Sequence, residues 1–178
     1  MERKGIDPKV VMQFGIAAAA NALAIAEEAT LLAKEGHDAR AFSLSVLAVE
    51  ELSKAWVALV AGLFPNDPDV GSELRAMLKG HHRVKLDASL FLERDFPKVV
   101  GMEPDAMARE LDGVLSEDVY ARKNAGLYVD LEEDQVLGPE RIGPEEVALG
   151  KKLRKMVVAW GVILEGTLER DLEDRGEG

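Results

Sequence analysis

Apolar residues recur along this chain at helical rather than strand spacing. From Pro8 to about Glu35, alanine, leucine, isoleucine and glutamate make a run of strong helix formers, and Gly36 stands where a C-terminal cap belongs. Asp38 can cap a second helix running to about Leu63, where Pro65-Asn66-Asp67-Pro68 supplies two prolines and two turn formers. The first two helices therefore fold as a hairpin. A third helix opens at Asp69 or Ser72, carries Leu74, Met77, Leu78, Val84, Ala88 and Leu92 at helical spacing, and ends near Pro97. Pro104 suits the first turn of a fourth, continuing to about Lys123. The fifth starts after Pro144 and sets Leu149, Leu153, Met156, Trp160, Ile163 and Leu168 on one face.

Between the fourth and fifth helices, Leu127-Tyr128-Val129-Asp130 is the one β-prone piece, followed by an acidic loop with glycine and proline. There are no alternating strands, no glycine-rich phosphate loop and no internal repeat. The pattern predicts an all-α protein, an antiparallel helical bundle of about five helices. Its 178 residues suit one domain, residues 1–178, with a charged tail from about 169 to 178 that is expected to fray.

Polar residues break the pattern at a few places. The second helix puts Phe42, Val46, Val49, Trp56 and Val60 on one side and Leu44, Ala48, Leu52, Ala55 and Leu59 on another. Most of its circumference is thus apolar, and the helix belongs at the centre of the bundle. Glu50, Glu51 and Lys54 lie on it all the same, where charges are costly unless paired. Glu50 and Lys54 have the spacing and order of an ordinary exposed helical ion pair; the alternative is a polar pocket inside the bundle. Asn21 interrupts the alanines of the first helix, either bonding a backbone carbonyl and fixing packing register or contacting a ligand. On the third helix His81 falls near the apolar face, His82 at its edge and Lys85 back within it, a set of donors that spacing alone leaves either structural or functional.

Composition removes several chemistries. No cysteine is present, so disulfides and thiolate nucleophiles or ligands are excluded. Neither histidine of the third helix has a glutamate three residues before it, as a di-metal bundle site requires, so no metal or other cofactor is expected. A nucleophile-elbow sequence is missing as well. The start of the chain lacks a signal-peptide core, and the longest nearly apolar run, Phe14 to Ala26, is interrupted by Asn21 and shorter than the roughly 20 residues a membrane span needs. A cytoplasmic protein without a membrane partner is expected. With 33 acidic and 22 basic side chains the net charge is −11, which opposes sequence-independent binding to nucleic acid but leaves room for a small cationic site.

Three segments taken in order then carry a resemblance: Leu47-Ala48-Val49-Glu50-Glu51-Leu52-Ser53-Lys54-Ala55, His82-Arg83-Val84-Lys85-Leu86, and Arg122-Lys123 with Leu127-Tyr128-Val129-Asp130. The series resembles the motifs of AbiV abortive-infection proteins in the HEPN superfamily, from about Asn21 to the loop after Asp130. Ser53 stands where that family more often has glycine. The resemblance implies a HEPN-type bundle, often dimeric, in bacterial defence against phage, with an antitoxin or other defence protein as a further partner. Many HEPN proteins are metal-independent ribonucleases marked by an arginine and, four to six residues later, a histidine. Here Arg75-Ala76-Met77-Leu78-Lys79-Gly80-His81-His82 meets the spacing loosely, with Ala76 at a position that is usually polar.

Metal-free RNA cleavage needs a base, an acid and cations for the phosphorane-like charge. On the reading that the resemblance implies, His82 or His81 transfers the proton, Lys54, Lys85, Arg75 or Arg122 holds phosphate oxygens, and Glu51 orients a cation. Tyr128 stacks on a base or donates its hydroxyl, while Asn21, Glu50 and Asp130 complete the ligand-binding set. The rival reading is a non-catalytic HEPN module that uses the same polar cluster to hold a nucleotide or a partner protein.

Overall fold

The computed structural model describes residues 7–64, 117–128, 130–132 and 135–175. Helix α1 spans Pro8–Lys34, α2 Asp38–Leu63, α3 Glu117–Leu127 and α4 Pro144–Asp174. The expected third helix, from Asp69 or Ser72 to near Pro97, lies outside the described residues, as does the start of the fourth.

Local chemistry fixes both ends of α1. Asp7 accepts a hydrogen bond from the Lys9 N–H at 2.9 Å, and Pro8 fills the first turn, where its missing N–H costs nothing. At the other end Gly36 takes a left-handed φ of 79°, so that its own N–H reaches the Ala33 carbonyl while the His37 N–H reaches that of Leu32. This pair of bonds satisfies two of the helix's last carbonyls and turns the chain directly into α2.

The helices pack as the hydrophobic pattern requires. Gly62 of α2 lies against Met12 of α1, so these two run antiparallel. Leu23 lies against Gly161 and Leu168 against Gly15, which makes α4 antiparallel to α1 and parallel to α2. Phe42, Met12, Leu52, Leu59, Leu153, Met156, Leu164 and Leu168 are the largest fully buried side chains. Burial of each is worth about 1.5–3 kcal/mol of transfer free energy, and together they seal α2 into the centre. Buried Ser45 and Ser53 donate back to the carbonyls of Ala41 and Val49, at 2.5 and 2.8 Å. By length and composition α1 could cross a bilayer, but it packs on α2 and α4 as a wall of the bundle.

Two boundaries differ from the expected ones. The fourth helix was expected to close near Lys123 with a β-prone stretch at Leu127, yet α3 continues to Leu127, and Tyr128 N–H still bonds the Asn124 carbonyl at 2.9 Å. The strand begins only at Asp130, where Asp130–Glu132 pairs antiparallel with Gln135–Leu137 as a small hairpin (β1 and β2). At the C-terminus α4 persists through Asp174, although the chain was expected to fray from Glu169. Leu168 is fully buried, Leu172 packs on the core, and the Arg175 guanidinium donates to the Gly62 carbonyl at 2.9 Å, which ties this end down. A single 3-10 turn, Pro139–Arg141, joins the hairpin to α4.

Candidate functional site

Helix α3 lies antiparallel across the N-terminal half of α2. Gly126 makes the approach possible, because a β-carbon there would come within 2.6 Å of the Ala39 carbonyl oxygen. One turn earlier the Lys123 carbonyl accepts the Ser43 hydroxyl at 2.7 Å. That contact aims the Lys123 side chain along α2, and its Nζ lies 2.7 Å from Glu50 Oε1. Glu50 is only 2 % exposed and Lys123 3 %. In the sequence Lys54 looked like the natural mate of Glu50; in the structure Glu50 takes Lys123, and Lys54 pairs with Glu51.

The two pairs differ in kind. Glu50 and Lys123 are both stripped of water, where a charge is costly unless paired. Lys54 and Glu51 retain about a fifth of their side-chain exposure, 21 % and 19 %. A cation held by a neighbouring carboxylate and still open to solvent can meet an incoming anion; a lysine closed in by protein cannot. Of the two pairs, Lys54–Glu51 is the one that retains solvent exposure.

At the other side of α3, Arg122 reaches the start of α4. Its guanidinium lies 2.5 Å from Glu146 Oε1 and is half exposed. The second oxygen of Glu146 accepts the Gly143 N–H at 2.8 Å, which caps α4. Burial alone would raise this carboxyl, but the Glu146 and Gly143 backbone N–H groups and Arg122 outweigh it and hold it below the usual glutamate range. Farther along α4, Arg154 donates to the Ser45 hydroxyl at 2.9 Å. Burial lowers the Arg154 guanidinium from its ordinary value, and Asp38 opposes that shift.

The remaining expected site residues are scattered or undescribed. Asn21 is exposed on α1 rather than in the core, as are Ala17, Ala20 and Ala24 around it. Tyr128 is 65 % exposed just beyond α3, and the Asp130 backbone pairs with Leu137 in the hairpin. Arg75, His81, His82 and Lys85 lie outside the described residues. Sequence reasoning quoted Arg122-Lys123 together but gave a site role to Arg122 alone, and it passed over Ser43 and Glu146. The signal for Lys123 was indirect: a glutamate on the apolar side of a central helix demands a cation from another element. An open groove of about 550 Å³, lined by His37, Arg40, Pro139, Glu140 and Ile142 among others, lies where the α1–α2 turn meets the 3-10 turn. Among the described residues no group of three histidine, aspartate or glutamate side chains is placed to hold a metal ion.

Comparison with known proteins gives one match: the HEPN_AbiV family model, described as AbiV, over residues 11–155. Neither the curated proteins nor the solved structures contain a match.

Proposed function

The chain belongs to the AbiV family of HEPN proteins, and from that membership we propose that it is a cytoplasmic abortive-infection factor of phage defence that acts on RNA as a metal-independent ribonuclease. The observation that carries this reading is the Lys54–Glu51 pair on α2, a fixed cation at a partly open surface one turn from a sealed ion pair. Lys54 holds a phosphate oxygen of the RNA, and Glu51 keeps the ammonium in place before the ligand arrives. The Glu50–Lys123 pair joins α2 to α3 and so forms the support behind them. Proton transfer falls to His82 or His81, since imidazole exchanges protons near neutral pH and this chemistry needs no metal. Arg75, Lys85 and Arg122 supply further cations, and exposed Tyr128 offers a ring for base stacking.

A second reading draws on Glu50. This carboxylate is buried and ion-paired to Lys123, which favours a structural over a catalytic role for it. A non-catalytic HEPN module holding a nucleotide or a partner protein would need only the Lys54 side of the cluster. The deciding experiment incubates purified full-length protein with total cellular RNA and tRNA in EDTA, beside a His81→Ala/His82→Ala variant whose fold is checked by circular dichroism. Cleavage by the wild type alone supports the ribonuclease. Intact RNA, together with nucleotide-dependent thermal stabilisation of the wild type, supports the binding module.

A further inference from the structure

Helix α4 concentrates positive charge in a chain whose net charge is −11. Lys151, Lys152, Arg154 and Lys155 place four cations within five residues, and from Val147 to Leu164 the helix carries no acidic residue. The positions three and four residues away from each of them hold apolar residues, glycine or another of the four. Lys151 thus neighbours Arg154 and Lys155, and Lys152 neighbours Lys155, like-charge contacts that destabilise a helix. Leu153, Met156 and Val157 supply the buried face, while Lys151 and Lys155 are exposed on the opposite side.

Arg154 differs from the lysines in being fixed to the protein. Its guanidinium donates to the Ser45 hydroxyl at 2.9 Å, and that hydroxyl, fully buried, gives its own proton to the Ala41 carbonyl. The head group is therefore held against α2 through one terminal nitrogen. Its Nε edge and other terminal nitrogen meet no protein acceptor among the described residues, and no carboxylate there lies in ion-pair contact with it. Asp38 acts on it from beyond contact distance, but the loss of water outweighs that help and keeps the guanidinium below its ordinary value. A partly desolvated cation with donors to spare, flanked by two exposed ammonium groups, is completed by an anion.

We infer that Arg154, Lys151 and Lys155 form a binding site for a compact polyphosphate group, the di- or triphosphate of a small ligand. Arg154 supplies planar donors fixed in advance, and the lysines, flexible point charges, close on the remaining oxygens. Size and charge density select the ligand. From Lys151 to Lys155 the patch rises only about 6 Å along the axis. Glu145 and Glu146 precede it on α4, Glu165 follows it, and Asp38 acts on Arg154 from α2. A nucleic-acid backbone would run past the cations into these carboxylates, and a carboxylate side chain offers a single charge where three cations converge. A polyphosphate gathers several charges within the cationic span. The site is also separate from Lys54, because Ser45, on which Arg154 rests, is nine residues from Lys54 on α2, about 14 Å along the axis and on the opposite side of the helix. It therefore stands whether or not the protein cleaves RNA.

The test is titration of the isotope-labelled full chain with tripolyphosphate, following by NMR the Nε–H signal of Arg154, which is assigned from its loss in Arg154→Lys. The signal should shift as tripolyphosphate is added, and the response should weaken as salt is raised. In Lys151→Gln/Lys155→Gln the affinity should fall at least about tenfold, since two charge-assisted contacts are removed. Melting of this double variant should match the wild type, because both lysines are exposed and make no ion pair among the described residues. Lys54→Ala should leave the titration unchanged, which separates this site from the proposed cleavage centre. A parallel titration with a 2′-O-methyl RNA oligonucleotide, which resists cleavage, should move the Arg154 signal less than tripolyphosphate does. An Arg154 signal indifferent to millimolar tripolyphosphate, an affinity unchanged in the double-lysine variant, or tighter binding of the oligonucleotide at the same signal would overturn the proposal.

Discussion

Lys123 reaches from α3 to place its ammonium 2.7 Å from Glu50 on α2, with both side chains at most 4 % exposed. A surface pair contributes little to stability, whereas a buried pair makes each partner depend on the other. Lys123→Met should remove the ion-pair partner of the buried Glu50 carboxylate and cost about 3–5 kcal/mol, read as a lower urea midpoint at unchanged slope. Glu50→Leu should do comparable harm by removing the same contact from the other side. Combining the two should cost less than the two single losses added together, because the pair is lost only once. A double variant as unstable as the two single losses added together would show that the residues are not energetically coupled.

Gly126 should be intolerant for a different reason. Alanine is the better helix former by up to about 1 kcal/mol, so propensity alone favours Gly126→Ala. Its β-carbon would however lie 2.6 Å from the Ala39 carbonyl oxygen, and that backbone atom cannot turn aside. Overpacking of this kind costs about 1–3 kcal/mol, which exceeds the propensity gain. Gly126→Ala should therefore destabilise the protein in chemical denaturation. By contrast Gly166→Ala, where an added β-carbon meets nothing within 4 Å, should be neutral or stabilising.

These features were legible in the sequence to different degrees. The bounds of α1 and the start of α2 could be read because Pro8 and Gly36 impose themselves locally, whatever packs nearby; Asp38, expected to cap α2, instead occupies its first turn, and His37 stands at the N-cap without a side-chain bond. Asn21 could not be placed, since alanine marks neither inside nor outside: Ala18, Ala19 and Ala22 are buried, while Ala17, Ala20 and Ala24 are exposed. The end of α3 was missed because the β-preference of the segment around Tyr128 is weaker than one more helical hydrogen bond, to Asn124. That Glu50 needs a partner followed from the apolar surroundings of α2. The identity of that partner did not follow, because Lys123 is 73 residues away and long-range pairing leaves no periodic trace.

Glu146 should give the protein a measurable acid dependence. Its carboxyl titrates below the usual range in the folded state, so it binds protons more readily when unfolded, where the ordinary value of about 4.3 applies. Its contribution is complete above that ordinary value and is lost as pH falls through the depressed folded one. The stability gap between wild type and Glu146→Gln should thus be constant near neutrality. It should narrow from about pH 4.3 downward, as followed by urea denaturation at stepped pH. A gap unchanged down to pH 3 would mean that the bonds to Arg122 and Gly143 do not favour the ionised form.

Lys54 separates function from fold more sharply than any other position in the cluster. Its side chain is partly open and, among the described residues, pairs with Glu51 one turn earlier, so Lys54→Ala removes an exposed-type ion pair worth less than about 1 kcal/mol and should leave the melting temperature nearly unchanged. If Lys54 holds the phosphate, the same change removes a cation placed where charge develops, and metal-free RNA cleavage should fall by about 10²-fold. Lys54→Arg keeps the charge and should retain much of the activity, and Glu51→Gln should have an intermediate effect by loosening the ammonium. Lys123→Met is the necessary control: any loss of cleavage there should follow its loss of stability and recover on cooling, whereas the loss in Lys54→Ala should persist at every temperature where the protein is folded. Activity undiminished in a folded Lys54→Ala protein would move the phosphate-holding role to the other cations, Arg75, Lys85 and Arg122, and leave the Lys54–Glu51 pair as a plain feature of the helix surface.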